Sequence, residues 1–401
     1  MGQKAAQEAA VAVTNRNTFL VSAFLCMTIL CLLVSAPGHS AILPEERADI
    51  LYHSYDGGGV TIDGPSVLVR KNVAEKFSFT GNYYVDMVTS ASIDVVTTAS
   101  EYTEERKEYS LGVDYLSDRT ILSLSYANST ESDYIADTLS LSLSQEFFGD
   151  LSTLTLGFGL GDDTVKQTGA PDFEDEIERK RFTVGFSQIL TKRLIASISY
   201  ESVFDEGFLN NPYRQVRVAA PVTGPGDRGY DYIPENYPST RNSEAIAIRG
   251  IYAINNKSSI RAEYRKYDDS WDVDSGNVEF RYSRYFGNRW LAEVRTRFYD
   301  QTEGAFFYQD LFDFSADGTP EFYGRDKELS QYSAQQFGLS LSYTLRSRYD
   351  FFNNSTINFS WDRINYEYDD FRDTTVATTA GEEPLYTLEA DIIRIFYSAY
   401  F

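Results

Sequence analysis

The stretch DTLSLSLSQEFFGDLSTLTLGFGLGD, Asp137–Asp162, decides how the chain is read. Leu139, Leu141 and Leu143 alternate with Ser140, Ser142 and Ser144. Phe147-Phe148-Gly149-Asp150 turns the chain, and Leu154, Leu156, Phe158 and Leu160 then alternate with Thr155, Gly157, Gly159 and Gly161. A period of two puts successive side chains on opposite faces of a strand, so each arm has one apolar face and one polar or small face. The arms exceed the roughly five or six residues of a typical soluble strand. The unit recurs along the chain, and the reading is an all-β fold, a transmembrane antiparallel β-barrel.

Working outward, the same alternation marks about sixteen strands. They are Asp49–Tyr55, Ser66–Asn72, Phe77–Val88, Glu105–Tyr115, Thr120–Asn128, the two arms of the opening hairpin, Ile177–Leu190, Leu194–Val203, Ser243–Ile254, Ser259–Trp271, Val278–Tyr285, Arg289–Tyr299, Leu329–Leu345, Asn354–Tyr368 and Leu385–Phe401. After the first connection, short and long links alternate strictly. The longest loops are 204–242, which contains five prolines, and 300–328. An even count with short turns at one end and long loops at the other is the outer-membrane pattern, and it puts both termini on the periplasmic side. The first strand is the faintest, so fourteen strands with an N-terminal plug is the alternative. A soluble lipocalin-like barrel or β-sandwich is the reading without a membrane.

Composition agrees. The 401 residues include 30 Tyr and 27 Phe, yet the mean hydropathy is −0.35. Apolar lipid-facing residues alternating with polar interior ones produce that combination. The only long apolar run, Thr18–Ala36, follows Lys4 and Arg16 and precedes small residues, so residues 1–41 read as a secretory signal peptide and 42–401 as the barrel. A retained anchor helix is the competing reading. Removal takes Cys26, Cys31 and His39, leaving His53 as the single histidine and no cysteine for a disulfide, thiolate or metal site. It also takes Lys4, Arg16 and Glu8, one net positive charge, so the formal charge of −23 becomes −24. Such acidity argues against nucleic acid as a partner.

Aromatic residues gather at strand ends: Phe147, Phe148, Phe286, Trp290, Phe351 and Phe352 near short turns, Tyr126, Tyr200 and Trp271 near the outer ends. Amphipathic rings favour the headgroup level, so these form the expected interfacial girdles. At the C-terminus Ile393, Ile395, Tyr397, Ala399 and Phe401 alternate, and Phe is the last residue. This resembles the terminal strand that the bacterial barrel-assembly machinery recognises; Ile393, Ile395, Tyr397 and Phe401 are the assembly signal.

The inward face carries the functional pattern. With Ile260, Phe280, Val294 and their alternates outward, Arg261, Glu263, Arg265, Glu279, Arg281, Glu293, Arg295 and Arg297 point inward as a mixed lumen wall, while residues 139–160 build a smooth Ser/Thr/Gly wall. Arg on the lipid face at mid-depth would cost roughly 2–4 kcal/mol. A field across a polar conduit can orient solutes; an interior ion-pair network stiffening a plugged barrel is the alternative. In the loop 204–241, Tyr213, Arg214, Arg217, Tyr237 and Arg241 are expected to fold inward as a constriction, with Glu263, Glu279 and Glu293 as the arginines' partners.

Other chemistry is sparse. His53 could serve a barrel hydrolase as general base, against a plain strand or turn histidine. Gly157, Gly159 and Gly161 lack a surrounding Rossmann unit and fit an inward strand face better than a phosphate loop. Acidic clusters at Asp172–Glu176, Asp268–Asp274 and Asp369–Asp373 lack EF-hand spacing and read as solvated loop charge, able to share divalent ions with lipopolysaccharide phosphates.

The strings RADILYHSYDGGGVTIDGPSVLVRK (Arg47–Lys71), YYVDMVTSASIDVVTTAS (Tyr83–Ser100), NPYRQVR (Asn211–Arg217) and ENYPSTR (Glu235–Arg241) resemble an uncharacterised Gram-negative outer-membrane β-barrel family defined by a domain of unknown function. The resemblance implies fold and location, not activity. The expectation is therefore a non-enzymatic, porin-like channel or transporter for small polar solutes, needing no cofactor or metal, surrounded by outer-membrane lipid and lipopolysaccharide. A plugged barrel acting as a surface scaffold or meeting a periplasmic partner is the second reading, a barrel hydrolase the third.

Overall fold

In the computed structural model the described residues are 41–89, 103–224, 229–307, 311–313, 318–346, 354–376 and 378–401. Residues 1–40 of the expected signal peptide, and Phe351 and Phe352 of the expected girdle, lie outside them. Sixteen strands close an antiparallel barrel. They are β1 (Arg47–Gly57), β2 (Val60–Val73), β3 (Phe77–Thr89), β4 (Thr103–Ser117), β5 (Thr120–Thr130), β6 (Tyr134–Phe147), β7 (Ser152–Lys166), β8 (Glu174–Thr191), β9 (Leu194–Gly207), β12 (Thr240–Asn255), β13 (Ser258–Asp269), β14 (Asp274–Phe286), β15 (Trp290–Gln301), β16 (Tyr332–Arg346), β17 (Asn354–Arg372) and β18 (Leu385–Tyr400). A two-stranded ribbon, β10 (Gln215–Ala219) with β11 (Tyr230–Pro234), forms inside the long loop between β9 and β12. The cylinder closes where β1 pairs with β18, from Arg47 opposite Tyr400 to Gly57 opposite Ala390. Closure leaves no strand edge unpaired, which a lipid environment requires.

The alternation predicts the faces. Leu111 is 63% exposed and Ile248 56%. Together with Ile50, Val69, Phe79, Leu139, Phe280 and Phe359 they make an apolar outer surface that would be untenable in water. Outward charges appear where this belt ends. Arg363 lies 2.7 Å from Asp391, which also accepts the Trp361 indole N–H at 3.0 Å. Tyr52 donates to Asp63 at 2.6 Å, and Tyr126 donates to Asp137. These rings face the interface while their hydroxyls reach the polar rim.

Sixteen strands stand as expected, the fourteen-strand alternative falls, and two expectations need correction. The N-terminal segment is wall, not plug: β1 and β2 are long strands joined at Gly58-Gly59, whose φ of 61° and 79° suit glycine. The start of β2 hides in the sequence because Asp63-Gly64-Pro65 breaks its alternation, and the ladder to β3 is interrupted there. Connections do not alternate strictly in length, since β5–β6 and β13–β14 are joined by residues 131–133 and 270–273. Trp271 belongs to no outer girdle. It is 5% exposed and sits in an interior aromatic core. Phe148, Phe286 and Trp290 at the short-turn end, and Tyr126 and Tyr200 toward the loop end, are exposed outward as expected.

Both termini of the barrel lie at the short-turn end. The Phe401 N–H donates to the Glu46 carbonyl at 3.4 Å, and Lys71 binds Glu46 at 2.6 Å while its ammonium lies 4.9 Å from the centre of the Phe401 ring.

Candidate functional site

Strand register places all eight expected wall residues on the inner face and stacks six of them in two rows, with Arg265 and Glu293 outside these rows. One runs Arg249, Glu263, Glu279, Arg297, Gln336; the other runs Arg261, Arg281, Arg295, Gly338, Asp362. Directly opposed like charges repel, and the arrangement resolves this diagonally. Glu263 takes Arg249 at 2.5 Å and Arg261 at 2.7 Å. Arg281 bridges Glu279 and Glu293, each at 3.1 Å. Arg265 reaches Glu201 on β9 at 3.3 Å, across β12.

The belt continues beyond the expected strands. Arg295 crosses β16 to Asp362, its Nε 2.6 Å from Oδ1. It can do so because Gly338 stands between them: a Cβ there would lie 2.1 Å from Asp362 Oδ1 and 2.7 Å from the Arg295 Nε. Asp362 is 1% exposed and also takes Arg394 at 3.4 Å and Gln336 at 3.1 Å. Arg394 stands opposite His53, and His53 opposite Gly64. His53 reaches over Gly64 to β3, where its Nε2 lies 2.6 Å from Asp86 Oδ1 and 3.0 Å from the Tyr84 hydroxyl; the rings of His53 and Tyr84 stack at 4.8 Å. A Cβ on Gly64 would sit 1.8 Å from the Val85 carbonyl oxygen. Glycines on the inner face thus mark where a long side chain crosses a strand. Among the described residues no serine hydroxyl lies within hydrogen-bond distance of His53, so the geometry is that of a buried wall cluster rather than a Ser–His pair.

The smooth wall is partly occupied. Arg179 and Arg181 on β8 lean over Gly161 and Gly159. Arg179 then meets Asp163 at 3.2 Å and the Tyr134 hydroxyl at 3.1 Å, and Arg181 meets Glu201 at 2.8 Å.

At the loop end, residues of the segments 208–239 and 302–331 join in a lid. Asn236 and Tyr323 exchange backbone hydrogen bonds of 3.0 and 2.9 Å, and Phe312 does the same with Arg217 and Ala219 at 2.9 and 2.7 Å. Tyr237, Trp271, Phe306, Phe307, Leu329, Tyr368, Phe371 and Tyr386 form the lid's aromatic core, on which the strand residues Tyr267, Tyr332, Tyr366 and Leu388 also pack. Gly324 lies flat against the Tyr237 ring; a Cβ would be 2.3 Å from it.

Of the five expected constriction residues, Arg214, Tyr237 and Arg241 line the chamber beneath the lid, and the arginines hold partners other than those expected. Arg214 binds Asp326, Arg217 binds Glu383 at 2.5 Å, and Arg241 binds Asp269 at 2.5 Å while stacking on Trp271 at 4.5 Å. Tyr213 donates to Asp133 at 2.5 Å. Glu263, Glu279 and Glu293 are already held by wall arginines, so the loop finds its carboxylates on neighbouring loops and the strand-end turn. The Arg217–Glu383 pair is 3% exposed on each side; removing one partner of such a pair would leave an uncompensated buried charge. Glu235, 5% exposed, accepts the Arg325 N–H at 2.6 Å. Burial pushes its carboxyl up to about 7, the Asp326 carboxylate adding to the effect and Arg214 opposing it.

Beneath the lid lies a chamber of about 780 Å³, within the range of small-molecule sites. Inward residues from β1, β2, β6 to β9 and β12 to β18 line it, and Leu209–Pro212, Arg214, Tyr237 and Asp326–Leu329 of the lid close it. Its wall is asymmetric. A tyrosine arc (Tyr299, Tyr332, Tyr366, Tyr368, Tyr386), with ring centroids 5.2–5.9 Å apart from one ring to the next through Tyr332 and Tyr368, faces Arg179, Arg241 and Arg265.

The sequence profile of the family described as "Protein of unknown function (DUF3570)" matches residues 96–182 and 172–357, about two thirds of the chain. The chain belongs to the DUF3570 family. A comparison with curated proteins finds no match. Among solved structures, this DUF3570 barrel is similar to the siderophore receptor PirA from Pseudomonas aeruginosa at 9% identity and TM-score 0.44, over 87% of this chain and 62% of that one. It is similar to a Pseudomonas aeruginosa FadL homologue at 9% identity and TM-score 0.42, over 90% and 91% of the two chains. It is likewise similar to a bacterial polysaccharide outer membrane secretin at 8% identity and TM-score 0.47, over 90% and 99%. The DUF3570 chain thus spans less than two thirds of the PirA receptor's length. It is an outer-membrane β-barrel by its own strand pairing and lipid-facing surface.

Several elements of the DUF3570 site escaped sequence reasoning. The tyrosine arc was hidden because its members stand at ordinary inward positions on four successive strands, β15 to β18, and only the register sets them beside one another. Asp362 and Arg394, which extend the wall, were legible in principle from the alternation of Phe359, Trp361, Ile393 and Ile395. A loop-end group, Glu104, Glu131 and Asp133, brings one carboxylate oxygen from each within 4.8 Å of the others; the Ser132 N–H and the Tyr213 hydroxyl already donate to it.

Proposed function

We propose that this barrel is a porin-like channel for small polar solutes, with both termini periplasmic and the lid at the outer face. The observation that carries the reading is the chamber: a wall of charged and hydroxyl groups leading to a mouth narrowed by folded loops rather than filled by a separate domain. Arg–Glu rows across part of the lumen set up a transverse field, which orients dipolar solutes as they pass. The short-turn end as the periplasmic one follows the usual outer-membrane arrangement, and lipopolysaccharide would then surround the loop end. No residue has a catalytic part in this reading; His53 holds the seam between β1 and β3. Purified folded barrel in planar bilayers is expected to show discrete conductance steps. Persistent silence of folded protein would instead favour the second reading, a plugged scaffold, to which the lid's buried aromatic core also lends itself.

Assembly supplies a separate prediction. Phe401, with Tyr397, Ile395 and Ile393, is proposed as the signal for the assembly machinery. In the finished barrel its ring lies beside the Lys71 ammonium, and the residue follows the last strand, which ends at Tyr400. Deleting Phe401 is expected to reduce the heat-modifiable folded form in outer membranes while protein refolded in detergent stays intact. Unchanged folded yield in cells would remove this role.

A further inference from the structure

We infer that Arg297, with Tyr299, Tyr332, Tyr366 and Gln336, forms a binding subsite for a sugar acid, a saturated ring bearing both hydroxyls and a carboxylate; this names a solute class for the channel proposed above and rests on that reading for its role in transport. Arg297 differs from its neighbours. Of the five arginines in the expected wall, Arg261, Arg265, Arg281 and Arg295 each hold a carboxylate within 3.3 Å. Among the described residues Arg297 has no carboxylate within 4.0 Å; Glu279, opposite it in register, is turned to Arg281. Its guanidinium instead lies 5.8 Å from the centre of the Tyr299 ring.

A cation left without a counter-ion inside a barrel whose residues 42–401 carry a formal charge of −24 is a poised anion site. The guanidinium fork suits a carboxylate in two-point contact. Its surroundings say what the carboxylate is attached to. A recess of about 230 Å³ is lined by Arg297, Tyr299, Tyr332, Tyr366, Gln336, Ala334 and Ile364, and its three tyrosines also line the large chamber. Ring faces at 5.5 and 5.9 Å spacing offer an apolar platform for the C–H face of a ring. Around its edge the Tyr299 hydroxyl, which donates to Gln301, and the Gln336 side chain, whose amide donates to Asp362, keep acceptor oxygens for sugar hydroxyls beside the Tyr332 and Tyr366 hydroxyls, the division of labour of small-molecule sites. A bare inorganic anion would leave the platform unused, and a neutral sugar would leave the cation unpaired.

The test is calorimetric titration of the full folded barrel in detergent with sodium galacturonate, galactose and sodium benzoate, beside the Arg297→Gln variant. Because Arg297 balances no carboxylate, that change orphans no charge and the variant is expected to keep the wild-type melting transition. Galacturonate should bind, galactose at least about tenfold more weakly, and Arg297→Gln should weaken galacturonate by a similar factor, the range of one charge-assisted hydrogen-bonded contact. Equal affinity for galacturonate and galactose, an unaffected variant, or no binding would overturn the subsite. Benzoate binding more tightly than galacturonate would overturn the sugar-acid assignment. Conductance of the same preparation separates the two readings: binding in a silent barrel leaves the subsite standing and the channel fallen.

Discussion

Deleting Asn210–Ser239 is expected to raise single-channel conductance several-fold and admit larger solutes. The deletion is geometrically feasible, since the Gly207 N–H already donates to the Ser239 carbonyl at 2.8 Å and the ends of β9 and β12 can be rejoined by a short turn. It removes the part of the lid that crosses the chamber, including Pro212, Arg214 and Tyr237, and frees Asp326 and Glu383 from their arginines. The barrel below is held by its own continuous ladder and by the Arg–Glu and Arg295–Asp362–Arg394 pairs, none of which involves the loop. Conductance and liposome swelling with solutes of graded size check the result. If folded barrel lacking the loop conducts as the wild type does, the loop is no constriction.

The second large effect concerns pH and the same lid. Glu235 has its folded-state carboxyl raised to about 7, first by burial and then by Asp326. In an opened lid it would return toward its ordinary value of 4.5. Below that value it is protonated in both states and costs nothing. As the pH rises from about 4.5 to 7, the open state releases its proton first, so the closed lid binds more protons and loses stability; above about 7 the loss is complete. The shift corresponds to roughly 3 kcal/mol, a change of about three-hundredfold in the open-to-closed ratio. Arg214 opposes the effect, and the Arg325 N–H and Tyr237 hydroxyl favour the ionised form; their contributions are already contained in the raised value. The wild-type channel is therefore expected to open more often at pH 8 than at pH 5, and Glu235→Gln to stay closed at both. A Glu235→Gln channel that keeps the wild-type pH response would assign the titration elsewhere.

Several features follow from sequence alone. The period-two alternation determined the class of fold, the even strand count and the faces: Leu139 and Leu141 outward, Arg261 and Glu279 inward. This is legible because a strand's side-chain direction is set locally, one residue at a time, and because lipid on one side and water on the other select opposite chemistries. That the rings and cations of the proline-limited loop need partners was also legible: Tyr213, Arg214, Arg217 and Arg241 each hold a carboxylate.

Only the tertiary structure decided who those partners are. Arg217 finds Glu383, 166 residues away, and Asp362 collects Arg295 and Arg394 across intervening strands. Nothing in the neighbourhood of any of these residues encodes the other, because register and barrel closure bring them together. Trp271 shows the same limit from the other side: a tryptophan at a strand end suits a membrane girdle, yet the turn that follows aims it into the lid. The silent glycines are the plainest case. Gly64 breaks the alternation and Gly338 passes as one more small inward residue, and their purpose appears only when His53 and Arg295 are seen crossing above them. A strand's periodicity fixes which way each side chain points; how far it reaches, and over what, depends on the neighbouring strands that closure sets beside it.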